Sequence, residues 1–338
     1  MVVLSEMMTI RDVAKKAKVS VMTVSRMMND PEKVSTKTIQ KIRHTMEQLG
    51  YHPNYIARSL VRKKTNTVGI VMPDIKNTFF NSWFRWVEDY ARSFHYNLLL
   101  CNTDDNAEYE MNQIHLLLSR RVDGIIIVPR TASSIQYLKK SRIPFVLVDR
   151  IFSDIKADYI TTDHYAGACD ATDYLINLGH RHIGILKGPG ILYPDIERFR
   201  GFSDSMKKHK LKIDLSSIRN CDFQEEKSFH AVTEMLKFEN PPTALFSFNS
   251  LMTIGAINAM NALKLTIPKN LSIVSFDEIP GQLIFRPKIT YILQPIEELG
   301  RNATQIILEK IEHPSRNRTH RICLRPKLIV GESCREVK

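Results

Sequence analysis

Hydrophobic positions follow two rhythms along the chain, and the change comes near residue 66. In the first fifty residues they recur at helical spacing. Ile10, Val13, Ala14 and Ala17 share one face of a first helix, and Val24 and Met28 point inward from a second. Ile39, Ile42, Met46 and Leu49 form one stripe on a third, which runs from about Ser35 to Leu49 and ends at Gly50, a natural C′ residue. From Thr67 onward short apolar runs alternate with helical stretches. The runs are 68–72, 98–101, 124–128, 145–148, 183–186, 244–248, 273–276 and 291–293, and the first helix among them spans about Phe79 to Ser93. Apolar strands separated by helices belong to parallel sheets covered on both faces. There are too many for one such sheet at this length, so two α/β subdomains are expected.

The first two helices are joined by a turn of three or four residues, with a hydroxyl at the start of each. Thr9 is a good N-cap, and Asp12 sits in the first turn, where the helix dipole favours an acid. Ser20 caps the second helix and leaves Val21, Met22, Thr23 and Arg26 pointing outward near its beginning. This is the helix-turn-helix arrangement, in which the start of the second helix enters the DNA major groove. An amphipathic hairpin with no DNA role is the alternative. Charge favours DNA. Residues 1–64 hold thirteen Lys/Arg against five acids, a net of +8 out of +12 for the whole chain. A basic head on a nearly balanced body suits a polyanion contacted through one end.

The run Val19-Ser20, Thr23-Val24-Ser25-Arg26 and Asn29, followed by Gly50-Tyr51-His52-Pro53-Asn54 and Ala57-Arg58-Ser59-Leu60, resembles the LacI/GalR family of bacterial transcription regulators. The resemblance covers nearly the whole chain. It implies a helix-turn-helix head over 1–52, a hinge helix and linker over 53–66, and a body over 67–338 with the type I periplasmic-binding-protein fold. That body would be two doubly wound parallel-sheet subdomains, about 67–165 with 296–322 and about 166–294 with 323–333, the chain crossing near 165, 295 and 323. By resemblance Val21, Met22 and Arg26 read base edges, and Arg26 pairs with a guanine. Thr9, Ser20, Thr23, Ser25 and Asn29 are assigned to phosphates or caps. Lys18 stands where the family usually has Gly, which costs of order 1 kcal/mol if the turn needs positive φ.

Asn54 can cap a hinge helix reaching about Arg62. Eight residues are too few for a stable isolated helix in water, so it is expected to form only on the operator. The resemblance has Ala57 facing the partner hinge and Leu60 wedging between base pairs in the minor groove. Packing of Leu60 on the body is the alternative.

In open parallel sheets ligands sit beyond the carboxyl ends of the strands. Asp74, Asp104, Arg150, Asn249 and Asp277 lie there, with Gln294 after the run 291–293. Phe79 and Phe80 open the first body helix, Asp163 opens a crossing helix, and Arg198 precedes a helix near Phe199. Carboxylates, arginines and amides facing aromatic rings suit a polyhydroxylated ligand. Resemblance to ribose-type binding proteins and their repressor relatives assigns sugar contacts to Phe79, Phe80, Arg150, Arg198, Asn249, Asp277 and Gln294. Asp104 and Asp163 are further candidates, and Asp74 is left as a turn cap. Many relatives read Asn-Pro-Phe-Phe, whereas Thr78 here replaces the proline. Arg130, with Arg150 and Arg198, suggests a phosphorylated or acidic sugar.

Other classes fit poorly. No apolar run reaches the ~18–20 residues of a membrane span, and no signal peptide is expected at the start. Five scattered cysteines give neither a zinc pattern nor a disulfide framework, so a reducing cytoplasm is expected. Cys101 and Cys323 lie in apolar stretches and are expected in the core. The sequence 188–190, Gly-Pro-Gly, lacks the rest of a P-loop and is expected to be a turn lining the cleft. His180 and His182 have no third ligand and are expected on the surface. No catalytic constellation, cofactor or metal is expected. The expectation is a homodimeric repressor of carbohydrate genes that reads a near-palindromic operator under control of a sugar in the cleft. The tail after 328–330 has no heptads, so a coiled-coil tetramer is not expected. The alternatives are a nucleobase corepressor, a phosphoprotein partner or, in another class, a solute-binding transport component. Leu60→Ser is expected to weaken operator binding greatly and leave effector binding intact; unchanged operator affinity in a gel-shift titration contradicts the wedge.

Overall fold

A computed structural model describes residues 8–51, 64–152, 154–281, 286–316 and 318–337. The hinge candidates Asn54, Ala57 and Leu60 lie outside the described residues. The chain divides into two compact units between Thr65 and Asn66.

The first unit is built on three helices: α1 (Ile10–Ala17), α2 (Val21–Asn29) and α3 (Thr36–Leu49). Thr9 donates to Asp12 Oδ2 through both its backbone N–H (2.9 Å) and its hydroxyl (2.6 Å), which also lowers the Asp12 pKa. Ser20 Oγ accepts from the Thr23 backbone N–H at 3.0 Å and so starts α2. Lys18 ends α1 with φ 52°, so the turn does impose the left-handed conformation that Gly would take without strain. Gly50 closes α3 the same way at φ 58°. Val13, Ala14, Ala17, Val24, Met27 and Ile42 form the core. Met27, not Met28, is the buried methionine of α2; Met28 packs half-buried at the core's edge.

The second unit has two lobes with the same strand order. The first contains β1 (Thr67–Met72), α4 (Thr78–Ser93), β2 (Asn97–Asn102), α5 (Ala107–Ser119), β3 (Gly124–Ile127), α6 (Ala132–Ser141), β4 (Phe145–Val148) and β5 (Tyr159–Thr162). The second contains α7 (His164–Asn177), β6 (Ile183–Lys187), α8 (Tyr193–Lys208), β7 (Ile218–Asn220), α9 (Glu225–Met235), β8 (Ala244–Ser247), α10 (Ser250–Ala262), β9 (Ser272–Phe276) and β10 (Thr290–Leu293). The chain then returns through α11 (Ile296–Glu312) and β11 (Arg321–Leu324) to the first lobe and ends in the second with β12 (Lys327–Ile329). The sheets run β11-β5-β4-β3-β1-β2 and β12-β10-β9-β8-β6-β7. All pairings are parallel except β10 with β12.

Alternate residues of the central strands feed opposite faces. In the first sheet Ile70, Met72 and Ile126 pack with α4 and α11, while Val71, Ile125 and Ile127 pack with α5 and α6. The last crossing falls just after Leu324, because Cys323 and Leu324 pair with Thr161 and Thr162 of the first sheet. Cys323 is exposed on that edge strand, not in the core, whereas Cys101 is buried. His180 is buried, against expectation, with Nδ1 2.8 Å from Thr243 Oγ1. His182 instead meets Asp214 and Ser217 at 3.0 and 2.8 Å.

Helices α7 and α8 pack through Gly201. A Cβ there would lie 2.4 Å from the Tyr165 carbonyl oxygen and 2.9 Å from the Ala168 Cβ. Backbone cannot yield as a flexible side chain does, so Gly201→Ala is expected to destabilise the body by about 1–3 kcal/mol. A thermal melt should show a drop of several degrees; an unchanged Tm contradicts the close packing.

Candidate functional site

Both sheets carry the order 2-1-3-4-5 in their first five strands, which leaves a crevice where the order switches, beyond the carboxyl ends. A cavity of about 220 Å³ lies there, between the lobes. Phe79, Phe80, Asp104 and Arg150 reach it from the first lobe. Arg198, Asn249, Asp277 and Gln294 reach it from the second lobe and its crossing. Asp163 does not line the cavity. Its Oδ1 accepts from the Ala166 backbone N–H at 2.8 Å, so its carboxylate caps α7. The Gly188–Gly190 turn is absent from the lining too. Buried Asp195 pins it by accepting from the Gly188 and Gly190 N–H groups at 2.6 and 2.7 Å.

The apolar wall follows from the start of α4. Asn77 caps this helix by accepting from the Phe79 N–H at 3.0 Å, which fixes where the next two rings go. Phe79 and Phe80 are both buried and meet edge to face, their centroids 5.1 Å apart. Across the cleft, Thr78 Oγ1 lies 3.4 Å from Ser250 Oγ at the start of α10.

The polar wall centres on Arg198, which is 4% exposed. Its guanidinium lies 3.7 Å above the Phe276 ring centroid and donates to the Phe248 carbonyl oxygen. Nη2 is 3.2 Å from His164 Nδ1. A guanidinium can only donate, so His164 Nδ1 accepts and its proton sits on Nε2, 3.1 Å from Asp149 Oδ1. Burial and then the Arg198 charge pull the His164 pKa down, so the ring is neutral. Asp149 has φ 64°. Burial raises its pKa, but the His164 contact and the Arg198 and Arg150 charges outweigh this and hold it low.

Asp277 behaves differently. Burial pushes its pKa up to about 6, although Arg198 and Gln294 pull the other way. Gln294 Nε2 donates to Asp277 Oδ1 at 2.5 Å, and its Oε1 accepts from Thr162 Oγ1 at 2.6 Å. Asn249 spends its Oδ1 capping α10 through the Met252 N–H at 2.8 Å, and its Nδ2 donates to the Phe223 carbonyl oxygen at 3.4 Å. Arg198 Nε, buried at the cleft base, has no hydrogen-bond partner among the described residues.

The expected preference for an anionic sugar loses its basis. Arg130 stays outside the lining, its Nε donating to the Asp105 carbonyl oxygen at 3.1 Å. Arg150 is paired with the Asp105 carboxylate. Six carboxylates line the cavity against three cations, Lys76, Arg150 and Arg198. Asp105, Asp149, His164, Asp222 and Phe223 were missed from the sequence. Asp149 was within reach, because it directly follows β4.

On the head, Val21, Met22 and Arg26 are exposed, as are Thr9 and Ser20, while Thr23, Ser25 and Asn29 are half-buried. Ser20 Oγ is 2.8 Å from Thr23 Oγ1, and Asn29 Nδ2 donates to Ser25 Oγ at 3.2 Å. Among the described residues no cluster of His, Cys, Asp or Glu could hold a metal ion, and no helix is long and apolar enough to cross a membrane.

Comparison with known proteins agrees with this division. Residues 9–54 match the family described as bacterial regulatory proteins, lacI family. Residues 65–326 match the periplasmic binding proteins and sugar binding domain of LacI family. Catabolite control protein A of Priestia megaterium is 34% identical over 88% of this chain and 91% of its own. The HTH-type transcriptional repressor PurR of Haemophilus influenzae (strain PittEE) is 33% identical over 98% of this chain and 100% of its own. The crystal structure of the Lac repressor dimer bound to operator and the anti-inducer ONPF shares the fold, with a TM-score of 0.86, 23% identity, and coverage of 97% of this chain and 99% of that one. The chain belongs to the LacI family of bacterial regulatory proteins and is a DNA-binding transcription regulator, not an enzyme.

Proposed function

We propose that this regulator is a cytoplasmic, homodimeric repressor of carbohydrate genes whose grip on a near-palindromic operator is set by a small neutral sugar in the interlobe cleft. One observation carries the reading. Carboxylates, guanidinium groups and amides face Phe79 and Phe80 across about 220 Å³, with Arg198 Nε buried and without a hydrogen-bond partner among the described residues. Hydroxyls both donate and accept, so a polyol can satisfy the carboxylates and the arginines together, while its C–H face rests on the rings. The volume lies below the roughly 300–1,000 Å³ of drug-sized sites and fits one sugar ring better than two. The excess of carboxylates disfavours a phosphate.

The solute would act by binding one arrangement of the lobes more tightly than the other and so changing the spacing of the two hinges. In the head, Val21, Met22 and Arg26 take the base edges, and Thr9, Ser20, Thr23, Ser25 and Asn29 the phosphates and caps. Asn54, Ala57 and Leu60 take the hinge roles.

A nucleobase is the competing ligand. Calorimetry with neutral monosaccharides, their phosphates and nucleobases separates the two. The expected result is binding of a neutral sugar that tightens as pH rises through about 6, where Asp277 ionises and accepts a hydroxyl. Below that pH the loss is up to about tenfold per unit. Binding of only a phosphate or a nucleobase overturns the sugar reading.

A further inference from the structure

The start of α2 leaves few side chains free to read bases. Ser20 Oγ is occupied by the Thr23 N–H and hydroxyl, at 3.0 and 2.8 Å. Ser25 Oγ accepts from Asn29. Val24 and Met27 are in the core. What remains outward on the first two turns is Val21, 42% exposed, Met22, 69% exposed, and Arg26. Single exposed apolar residues are ordinary on a protein surface. Two in succession at the tip of a helix that enters the major groove, on a head of net charge +8 over residues 1–64, are placed against base edges.

Neither Val nor Met can donate a hydrogen bond to a base, and the Met thioether is at best a weak acceptor. The apolar group that the major groove offers is the thymine C5-methyl. Arg26 supplies the strong donor, and its bidentate partner is guanine O6 and N7. The two readings are coupled. Arg26 Nη2 lies 4.0 Å from Met22 Sδ, so the thioether lies against the guanidinium from one turn away. Four residues advance a helix by about 6 Å, roughly two base-pair steps of about 3.4 Å.

We propose that Val21 and Met22 are specificity residues that recognise thymine methyl groups, within about two base pairs of the guanine that Arg26 reads, in each operator half-site. This rests on the DNA-binding role and goes beyond it by assigning the base chemistry.

The test uses the full chain and a randomised duplex pool, selected at low salt with and without the neutral sugars of the previous panel. Single thymine-to-deoxyuridine replacements in the enriched duplex then remove one methyl each and leave the base pairing unchanged. The expected result is a half-site with guanine and thymine within two base pairs. At one or two of those thymines deoxyuridine should cost about fourfold per methyl lost. Met22→Ala should bind the thymine and deoxyuridine duplexes equally at its base, with the head's melting intact. An enriched site whose thymines all tolerate deoxyuridine overturns the proposal and leaves the operator reading standing. No enrichment under any condition overturns both. The deoxyuridine series needs only the native chain, so a variant that misfolds does not remove the test.

Discussion

Arg198 carries a full charge almost out of contact with water, and the cleft is arranged around that cost. Losing one partner of a buried pair typically costs about 3–5 kcal/mol, because the other charge is left stranded. Here compensation comes from several directions. Phe276 and the Phe248 carbonyl belong to the second lobe, as does Asp277. Asp149 belongs to the first, and His164, at the crossing, lies between Asp149 and the guanidinium. The lobes are therefore tied by charge balance as well as by chain. A solute that adds hydroxyls at this point alters the balance directly, which gives it a physical means of favouring one lobe arrangement.

The same network explains why Asp149 and Asp277 differ although both are buried. Asp149 meets an imidazole N–H and two guanidinium charges, and these outweigh its desolvation. Asp277 meets one arginine and one amide, and desolvation prevails. One carboxylate stays ionised while the other titrates near the working pH, so the cleft holds acceptors of unequal strength.

Much of this was legible in the sequence because central strands have no polar option. The eight apolar runs all became strands, with ends moved by a residue or so. The four strands that were missed are short or lie at or near edges. Tyr159–Thr162 carries two threonines, Ile218–Asn220 has three residues, and Arg321–Leu324 alternates exposed with half-buried positions. Lys327–Ile329 pairs antiparallel at an edge, where one side has no partner strand. At the site, residues just past strand ends were found by position. That rule took Arg150 and passed over its neighbour Asp149. It also took Asp163, since a carboxylate capping a helix and one facing a ligand look alike in sequence. His164 was invisible because its role depends on Arg198, thirty-four positions away. Lys18 was the opposite case, a departure whose strain was readable because φ follows from the turn.

The head and the body have distinct tasks, joined through one coupling free energy. Linkage requires that coupling to be reciprocal. The most direct measurement is the sugar's affinity for the free protein and for the protein saturated with operator. The two affinities should differ by the same factor by which saturating sugar changes operator affinity. Equal sugar affinity in the two states, with a sugar that does occupy the cleft, would contradict it.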